Sequence, residues 1–356
     1  MELNLPSLRR EIDRLDNTIL QTLQKRLEVA RLVIKFKREQ NQNVNVPERE
    51  LQILNSLKGR ERSLLSAEVI EDIYKTIFAE SKRLQRESTP LVAFQGEHGA
   101  FSEVAAKRWN PGVAPIPCQT IAEVFQGVEL GSYDYGIVPV ESTVGGLMSQ
   151  VNALLLASKL FVVGAVEMSV EHALLVVPGT DLKSLRRVYS QAVALTECQS
   201  FVKRMKLEPV AYFDTAGAAK MLAEKWEEGS SAIASELAAR YYNLEVAKTG
   251  IADVQNTRTR FLVLARQPLD CGGNRCSITF IMPNEPGSLF RVMKMFADEN
   301  INLTRVASIP TEKGNYIFFL DFAASDQEER VHRILNQISC ISESYRWMGC
   351  YTETNQ

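Results

Sequence analysis

From Ser7 to Asn41 the chain contains neither glycine nor proline, and apolar residues return at helical intervals: Leu8, Ile12, Leu15, Ile19, Leu20, Leu23, Leu27, Ala30, Val33 and Ile34. Spacings of three and four predict one long amphipathic helix opened by Pro6-Ser7. Roughly 34 residues at ~1.5 Å each make a rod of about 50 Å. Pro47 to Leu57 and Ser66 to Arg86 predict two shorter helices, the first with proline in its opening turn. Two short helices cannot cover so long a rod, so the pattern predicts that a second copy of the chain does, as an intertwined dimer.

After Ser88-Thr89-Pro90 the pattern changes to short apolar strands alternating with helices. Strands are expected at Leu91–Phe94, Tyr135–Val140, Leu160–Val166, His172–Val177, Arg187–Tyr189, Ser231–Ala234 and Phe261–Ala265. Helices are expected at Ser102–Trp109, Ile121–Gly127, Leu147–Ala157, Ala192–Met205, Thr215–Trp226 and Glu236–Tyr242. Such alternation predicts a mainly parallel α/β sheet, which takes ligands at strand C-terminal ends, where helix N-termini offer N–H groups to anions. Three strand-to-helix junctions suit that role: Gly96-Glu97-His98-Gly99-Ala100-Phe101-Ser102, Glu141-Ser142-Thr143-Val144-Gly145-Gly146 and Asp214-Thr215-Ala216-Gly217. Asn256-Thr257-Arg258-Thr259-Arg260-Phe261 adds hydroxyls and guanidiniums just ahead of the buried run Leu262-Val263-Leu264-Ala265. A linker at Cys271-Gly272-Gly273-Asn274 then precedes a βαββαβ pattern, ferredoxin-like, with Pro286-Gly287-Ser288 opening its first helix.

A length of 356 residues fits two to three domains with real cores. The formal charge of -2 gives no bulk attraction to nucleic acid or an anionic membrane, so any anion site must be local. No apolar run reaches the ~18 residues of a membrane span, and the N-terminus has no secretory apolar segment. The six cysteines lack metal-like spacing and the three histidines stand far apart, so reduced cytoplasmic thiols and no metal are expected. On the first helix Arg26 and Lys37 are eleven residues apart and share a face within ~20°, whereas Arg9 lies ~100° away. One helix cannot aim all three at one spot; two antiparallel copies can.

Leu8-Arg9-Arg10-Glu11-Ile12, Lys25-Arg26-Leu27, Lys35-Phe36-Lys37, Pro47-Glu48-Arg49-Glu50 and Glu80-Ser81 with Gln85 resemble the all-helical chorismate mutase family. The resemblance implies that Arg9 of a partner chain, Arg26 and Arg49 hold two carboxylates, that Lys37 and Gln85 address the ether oxygen, and that Glu50 and Ser81 meet the hydroxyl region. A pericyclic rearrangement needs no nucleophile, only a held conformer and stabilised charge.

The three junctions, Ser190-Gln191-Ala192-Val193-Ala194-Leu195, Ala232-Ile233-Ala234-Ser235 and Thr259-Arg260-Phe261 resemble, in that order, prephenate dehydratase. That family implies two lobes of periplasmic-binding-protein type. Thr259 is then expected to help the substrate hydroxyl leave, Arg260 to hold a carboxylate and Phe261 to line the ring. Ser102, Glu141, Ser142, Thr143, Ser190 and Thr215 are the further substrate-binding candidates. Asn284-Glu285-Pro286-Gly287-Ser288-Leu289 with Ile301-Asn302-Leu303-Thr304 resembles the ACT regulatory domain. It implies phenylalanine as effector between paired subunits, with Gly287, Ser288, Leu289, Asn302 and Leu303 as contacts. Where dehydratases of the family read Glu-Ser-Arg-Pro, this chain reads Ala307-Ser308-Ile309-Pro310, so altered feedback is expected.

The expectation is therefore a multidomain chain: all-α mutase helices over 1–88, an α/β two-lobed dehydratase over 90–267 and an α+β ACT domain over 274–353. It is expected to act on chorismate and prephenate without cofactor. Rival expectations are arogenate as substrate, decarboxylation of prephenate alone, or a non-catalytic small-anion sensor.

Overall fold

The computed structural model describes residues 5–39, 47–59, 64–86, 89–225, 227–269, 272–310 and 315–355. The chain divides into two compact units, one ending at Pro90 and one beginning at Leu91.

The first unit contains the rod α1 (Leu5–Glu39), α2 (Pro47–Lys58) and α3 (Ala67–Arg86). Ile70 and Phe78 on α3 are buried, whereas Leu8, Ile12, Leu15, Ile19 and Leu20 on α1 stay exposed. The apolar stripe that makes α1 amphipathic is thus uncovered along its N-terminal half in a single copy.

The second unit opens with one lobe: β1 (Leu91–Gln95), α4 (Phe101–Trp109), β2 (Ala114–Cys118), α5 (Ile121–Glu129), β3 (Tyr135–Ser142), β4 (Gly146–Leu147), α6 (Ser149–Ala157) and β5 (Phe161–Ser169). A second lobe follows: β6 (Ala173–Val176), β7 (Arg187–Gln191), α7 (Ala192–Glu197), α8 (Gln199–Arg204), β8 (Glu208–Tyr212), α9 (Thr215–Glu224), β9 (Ser230–Ala234), α10 (Glu236–Tyr242) and β10 (Glu245–Lys248). The expected helix over Ala192–Met205 breaks at Cys198 into α7 and α8. β11 (Arg258–Ala265) returns antiparallel between β3 and β5 of the first lobe. Strand orders are β5-β11-β3-β1-β2, with β4 on β3, and β10-β6-β9-β7-β8.

The C-terminal part is β12 (Arg275–Met282), α11 (Ser288–Asp298), β13 (Asn302–Pro310), β14 (Tyr316–Ala323), α12 (Glu329–Ile341) and β15 (Ser344–Tyr351), an antiparallel sheet of order β13-β14-β12-β15. β16 (Glu353–Asn355), which the sequence pattern did not suggest, leaves that sheet and pairs parallel with β5 at the edge of the first lobe.

Side chains alternate along β11 as in any strand, and each face meets a different neighbour. Phe261 and Val263 join Phe94, Ile137 and Met168 in a core shared with Ala216, Ala218, Ala234 and Ala238 of the second lobe. Leu262 and Leu264 face the other way, into a core that joins Val138 and Val140 of β3 to Ala307, Phe319, Met348 and Tyr351 of the C-terminal part. Ala307, where the sequence suggested altered feedback, is therefore 4% exposed, beneath the first lobe. Arg346 donates to the carbonyls of Leu155, Ser158 and Leu160. Gly349 sits at φ +138°, where a Cβ would collide with the Val162 carbonyl. Gly349→Ala is therefore expected to cost about 2 kcal/mol through overpacking and backbone strain. Urea unfolding monitored by tryptophan fluorescence checks it, and an unchanged midpoint contradicts the close seating.

Candidate active sites

Parallel strands of the first lobe end in the loops after β1 and β3, and antiparallel β11 begins at that same end. Strand pairing sets Thr259 opposite Ser142 on one side and Met168 on the other, and Arg260 opposite Glu141. The turn is tied to β11 twice: Arg258 N–H donates to Thr143 Oγ1 at 3.0 Å, and Thr143 N–H donates to the Arg258 carbonyl at 3.0 Å. Glu141, Ser142, Thr143 and Thr259 are therefore brought together. Ser142 and Thr259 are buried there, whereas Glu141 is partly exposed. Ser142 Oγ accepts the Val144 N–H at 3.4 Å.

Arg260 goes elsewhere. Its Nε donates to Glu353 at 2.6 Å, Nη1 to Asp321 and Nη2 to the Tyr351 hydroxyl at 3.1 Å. It lies on the face of β11 that carries Leu262 and Leu264, turned to the C-terminal sheet and not aligned with Thr259. Burial alone would lower its pKa, but Asp321, with Tyr351 and Glu353, carries it to a net rise. Phe261, 2% exposed, is core packing between the lobes.

Across the lobes, Ser102 lies buried in the first turn of α4 and Thr215 begins α9. Ser190 is buried and its hydroxyl donates to the Ile233 carbonyl at 2.6 Å, so in this arrangement it clips β7 to β9 and does not present its proton to a ligand. The lobes meet through groups whose pairing the sequence did not foretell. Asp214, the N-cap of α9, accepts from Gly217 N–H at 3.0 Å and from Glu97 N–H of the first lobe at 3.1 Å. Lys220 pairs with Glu97 at 3.0 Å, Tyr241 donates to Glu103 at 2.7 Å, and Ser235 donates to the Gly99 carbonyl. A Cβ at Gly99 would strike the Ala238 backbone, so this approach requires glycine. The cap Asp214-x-x-Gly217 was the one readable signal of this latch.

In the helical unit, Arg26 donates to Ser81 Oγ at 3.2 Å and lies over the Phe78 ring at 5.5 Å. Glu50 pairs with Lys82 at 2.9 Å, a cation the sequence reading passed over, and Arg49 donates to Gln52 at 3.3 Å. Arg9, exposed, is seventeen residues up the rod from Arg26, about 25 Å away. The side chains of Lys37 and Gln85 lie outside the described residues.

Among the effector candidates, Gly287 takes φ 84° at the N-cap of α11, followed by buried Ser288 and half-buried Leu289. Asn302 and Leu303 open β13 and pair with Ala323 and Phe322. Phe322 also pairs with Cys276, near the start of β12, whereas Gly287 follows the end of β12 at Met282. The two sets lie at opposite ends of the sheet, about 20 Å apart.

Residues 8–86 match the family model of chorismate mutase type II, 92–269 that of prephenate dehydratase and 277–340 that of the ACT domain. A bifunctional chorismate mutase/prephenate dehydratase of Aquifex aeolicus is 32% identical over 357 residues, spanning 98% of this chain and 97% of that protein. The chain belongs to the bifunctional chorismate mutase/prephenate dehydratase family. The chloroplastic arogenate dehydratase/prephenate dehydratase 2 of Arabidopsis thaliana is 34% identical over 324 residues, 83% of this chain and 84% of that one. The solved structure of prephenate dehydratase from Arthrobacter aurescens, in complex with L-Phe, superposes with TM-score 0.66 at 25% identity over 74% of this chain and 89% of that one.

In the dehydratase lobes, burial pushes the Asp214 carboxyl up, and the N–H groups of Glu97, Gly217 and Thr215 offset only part of that. Its folded pKa stands above the unfolded one, so the folded state holds more protons between the two values and stability falls as pH rises through that window. Asp214→Asn is expected to flatten that fall in melting temperature, whereas Asp214→Ala loses the cap and about 1–2 kcal/mol. Thermal melts from acid to neutral pH separate these outcomes.

Proposed function

We propose that this chain rearranges chorismate to prephenate in its helical unit, converts prephenate to phenylpyruvate at the mouth of the two lobes, and is restrained by phenylalanine on the ACT sheet. The observation that carries the reading is the pairing of Thr259 with Ser142 beside Glu141 and Thr143, at the ligand-binding end of the first lobe. The same chain holds a mutase unit in which Arg26 and Ser81 are already in contact. The product of one reaction is the substrate of the other.

In the mutase step no covalent intermediate forms. Arg26 and Arg49 hold carboxylates, Lys37 and Gln85 stabilise charge gathering on the ether oxygen as its bond breaks, and Glu50 and Ser81 fix the hydroxyl. Arg9 is too far along the rod to join them in one copy. A second, antiparallel copy brings Arg9 to the site and covers Leu8, Ile12, Leu15 and Ile19, so the working unit is a dimer or larger. The effector contacts require the same: Gly287–Leu289 of one ACT sheet reach Asn302–Leu303 only in a neighbouring copy.

In the dehydratase step the electrons of the breaking carboxylate bond aromatise the ring and expel the ring hydroxyl, giving phenylpyruvate, carbon dioxide and water. Thr259 donates a hydrogen bond to the departing oxygen. A threonine hydroxyl is a poor acid in water, so closure of the lobes and a dry site are part of its action. Helix N-termini at Ser102 and Thr215 face the anionic substrate. A cytoplasmic location suits substrates of this kind.

The test supplies purified protein with chorismate and follows prephenate and phenylpyruvate with and without phenylalanine. Phenylpyruvate after a lag, suppressed by phenylalanine, is expected; prephenate accumulating alone overturns the dehydratase assignment, and arogenate is then offered. Thr259→Ala is expected to lower dehydratase kcat by ~10²–10⁴-fold, with binding of prephenate by calorimetry retained and mutase turnover unchanged. Sedimentation equilibrium checks the assembly: a monomer at assay concentration that still turns over chorismate contradicts the shared mutase site.

A further inference from the structure

The reaction as described leaves one buried charged group unused. Arg305, on β13 of the ACT sheet, has a side chain 3% exposed. Its Nη2 donates to Asn152 Oδ1 on α6 of the first lobe at 2.6 Å, and its guanidinium lies over the Phe319 ring at 5.2 Å. Its Nε stands 3.8 Å from Glu141 Oε2 and its Nη1 3.8 Å from Asp321 Oδ2. Among the described residues neither atom has a hydrogen-bond partner. Asp321, fully buried, is the carboxylate that Arg260 grips from β11, and Ser277 donates to its other oxygen at 2.6 Å. Two arginines therefore flank one aspartate. Arg260 sits directly across the strand pair from Glu141, and Arg305 reaches towards Glu141 itself.

A buried guanidinium with two such nitrogens is costly, and a carboxylate 3.8 Å away, just beyond hydrogen-bond reach, is the natural remedy. Glu141 is that carboxylate, its side chain 43% exposed at the mouth. Asn152 also donates to the Met148 carbonyl, and Met148 N–H donates to the Val140 carbonyl, so Arg305 grips the segment from Glu141 to α6 at both ends.

We propose that Arg305 is a positioning residue for the dehydratase reaction, supplied by the ACT sheet, which sets Glu141 and its turn relative to Thr259 and carries the effector's influence to the site. The proposal rests on the dehydratase reading above. Arg305 lies three residues after Asn302 and two after Leu303, so an effector that shifts the start of β13 shifts the guanidinium with it. Arg305 touches no reacting atom; it acts through Glu141 and through Asn152.

The experiment measures dehydratase kcat and KM on prephenate, with and without phenylalanine, in the full chain and in Arg305→Lys, Glu141→Gln and their double variant. Mutase turnover in the same samples reports on the integrity of the chain. Arg305→Lys keeps the charge but loses the fork. It is expected to lower kcat at least tenfold, short of the ~10²-fold that an ångström's misplacement costs, with KM changed less than about threefold on the same argument. The ratio of rates without and with phenylalanine is expected to move towards one, and the double variant to be no slower than the slower single. Unchanged kcat in Arg305→Lys, or losses that multiply in the double variant, overturn the proposal. Should Arg305→Lys not fold by circular dichroism, Asn152→Ala, which removes the acceptor and leaves the guanidinium, decides by the same criteria. Wild-type protein that forms no phenylpyruvate refutes the dehydratase reading instead, a result that these variants do not mimic.

Discussion

The buried pair between Arg260 and Asp321 joins the centre of the dehydratase sheet to the centre of the ACT sheet, and the surrounding structure depends on it. Asp321 has no access to water, and Arg260 also engages Glu353 and Tyr351. Arg275 completes the group by pairing with Glu353 at 2.7 Å. Removing one member of such a group leaves an uncompensated buried charge, worth about 3–5 kcal/mol. The pair also explains why the chain parts into two units where the family models mark three segments. The ACT sheet shares a core with the first lobe through Ala307, Phe319, Met348 and Tyr351, and returns β16 to that lobe's edge. It is a layer of the dehydratase fold as much as a domain of its own.

The interior strands were legible because each is apolar enough to be buried on both faces or alternates cleanly. Those that escaped are β2, β8, β10 and β16, the outermost strands of their sheets, and the two-residue β4 that pairs with β3. An edge strand needs no continuous apolar run and tolerates proline, as Pro115 and Pro117 in β2 and Pro209 in β8 illustrate. Their sequences therefore carry little of the signal that betrays an interior strand. The site residues divide in a similar way. Position along the chain put Thr259 and the Glu141–Thr143 turn in one set of candidates, and the pairing of β3 with β11 sets them side by side. It did not fix direction. Thr259-Arg260-Phe261 reads as one motif, yet a strand's period of two puts Arg260 on the face of Leu262 and Leu264, away from the cleft side. Ser190 shows a different kind of gap: its hydroxyl serves the carbonyl of Ile233, forty-three residues later, a contact no local pattern encodes.

Two separate surfaces are incomplete in one chain, for different physical reasons. Along α1 the deficiency is hydrophobic, a stripe of leucine and isoleucine left exposed among the described residues. On the ACT sheet it is geometric, since residues expected around one small ligand begin at opposite ends of the sheet. The proposed dimer answers both, because a two-fold axis brings the far end of one copy to the near end of the other.

The lobes are latched by contacts on one face of the first-lobe sheet, through Gly99, Glu97 and Glu103 to Ser235, Asp214 and Tyr241. The ACT sheet is bonded to the opposite face and to α6, through Arg305, Arg346 and Asp321. Strands β3 and β11 lie between and expose one set of side chains to each. Thr259 and Phe261 answer to the lobe side, Arg260 and Leu262 to the ACT side. A close-packed sheet has little room to absorb strain within itself. On the proposed reading, a displacement imposed on one face is therefore passed to the other at the end of β3 and β11 where the turn Glu141–Thr143 leaves the sheet.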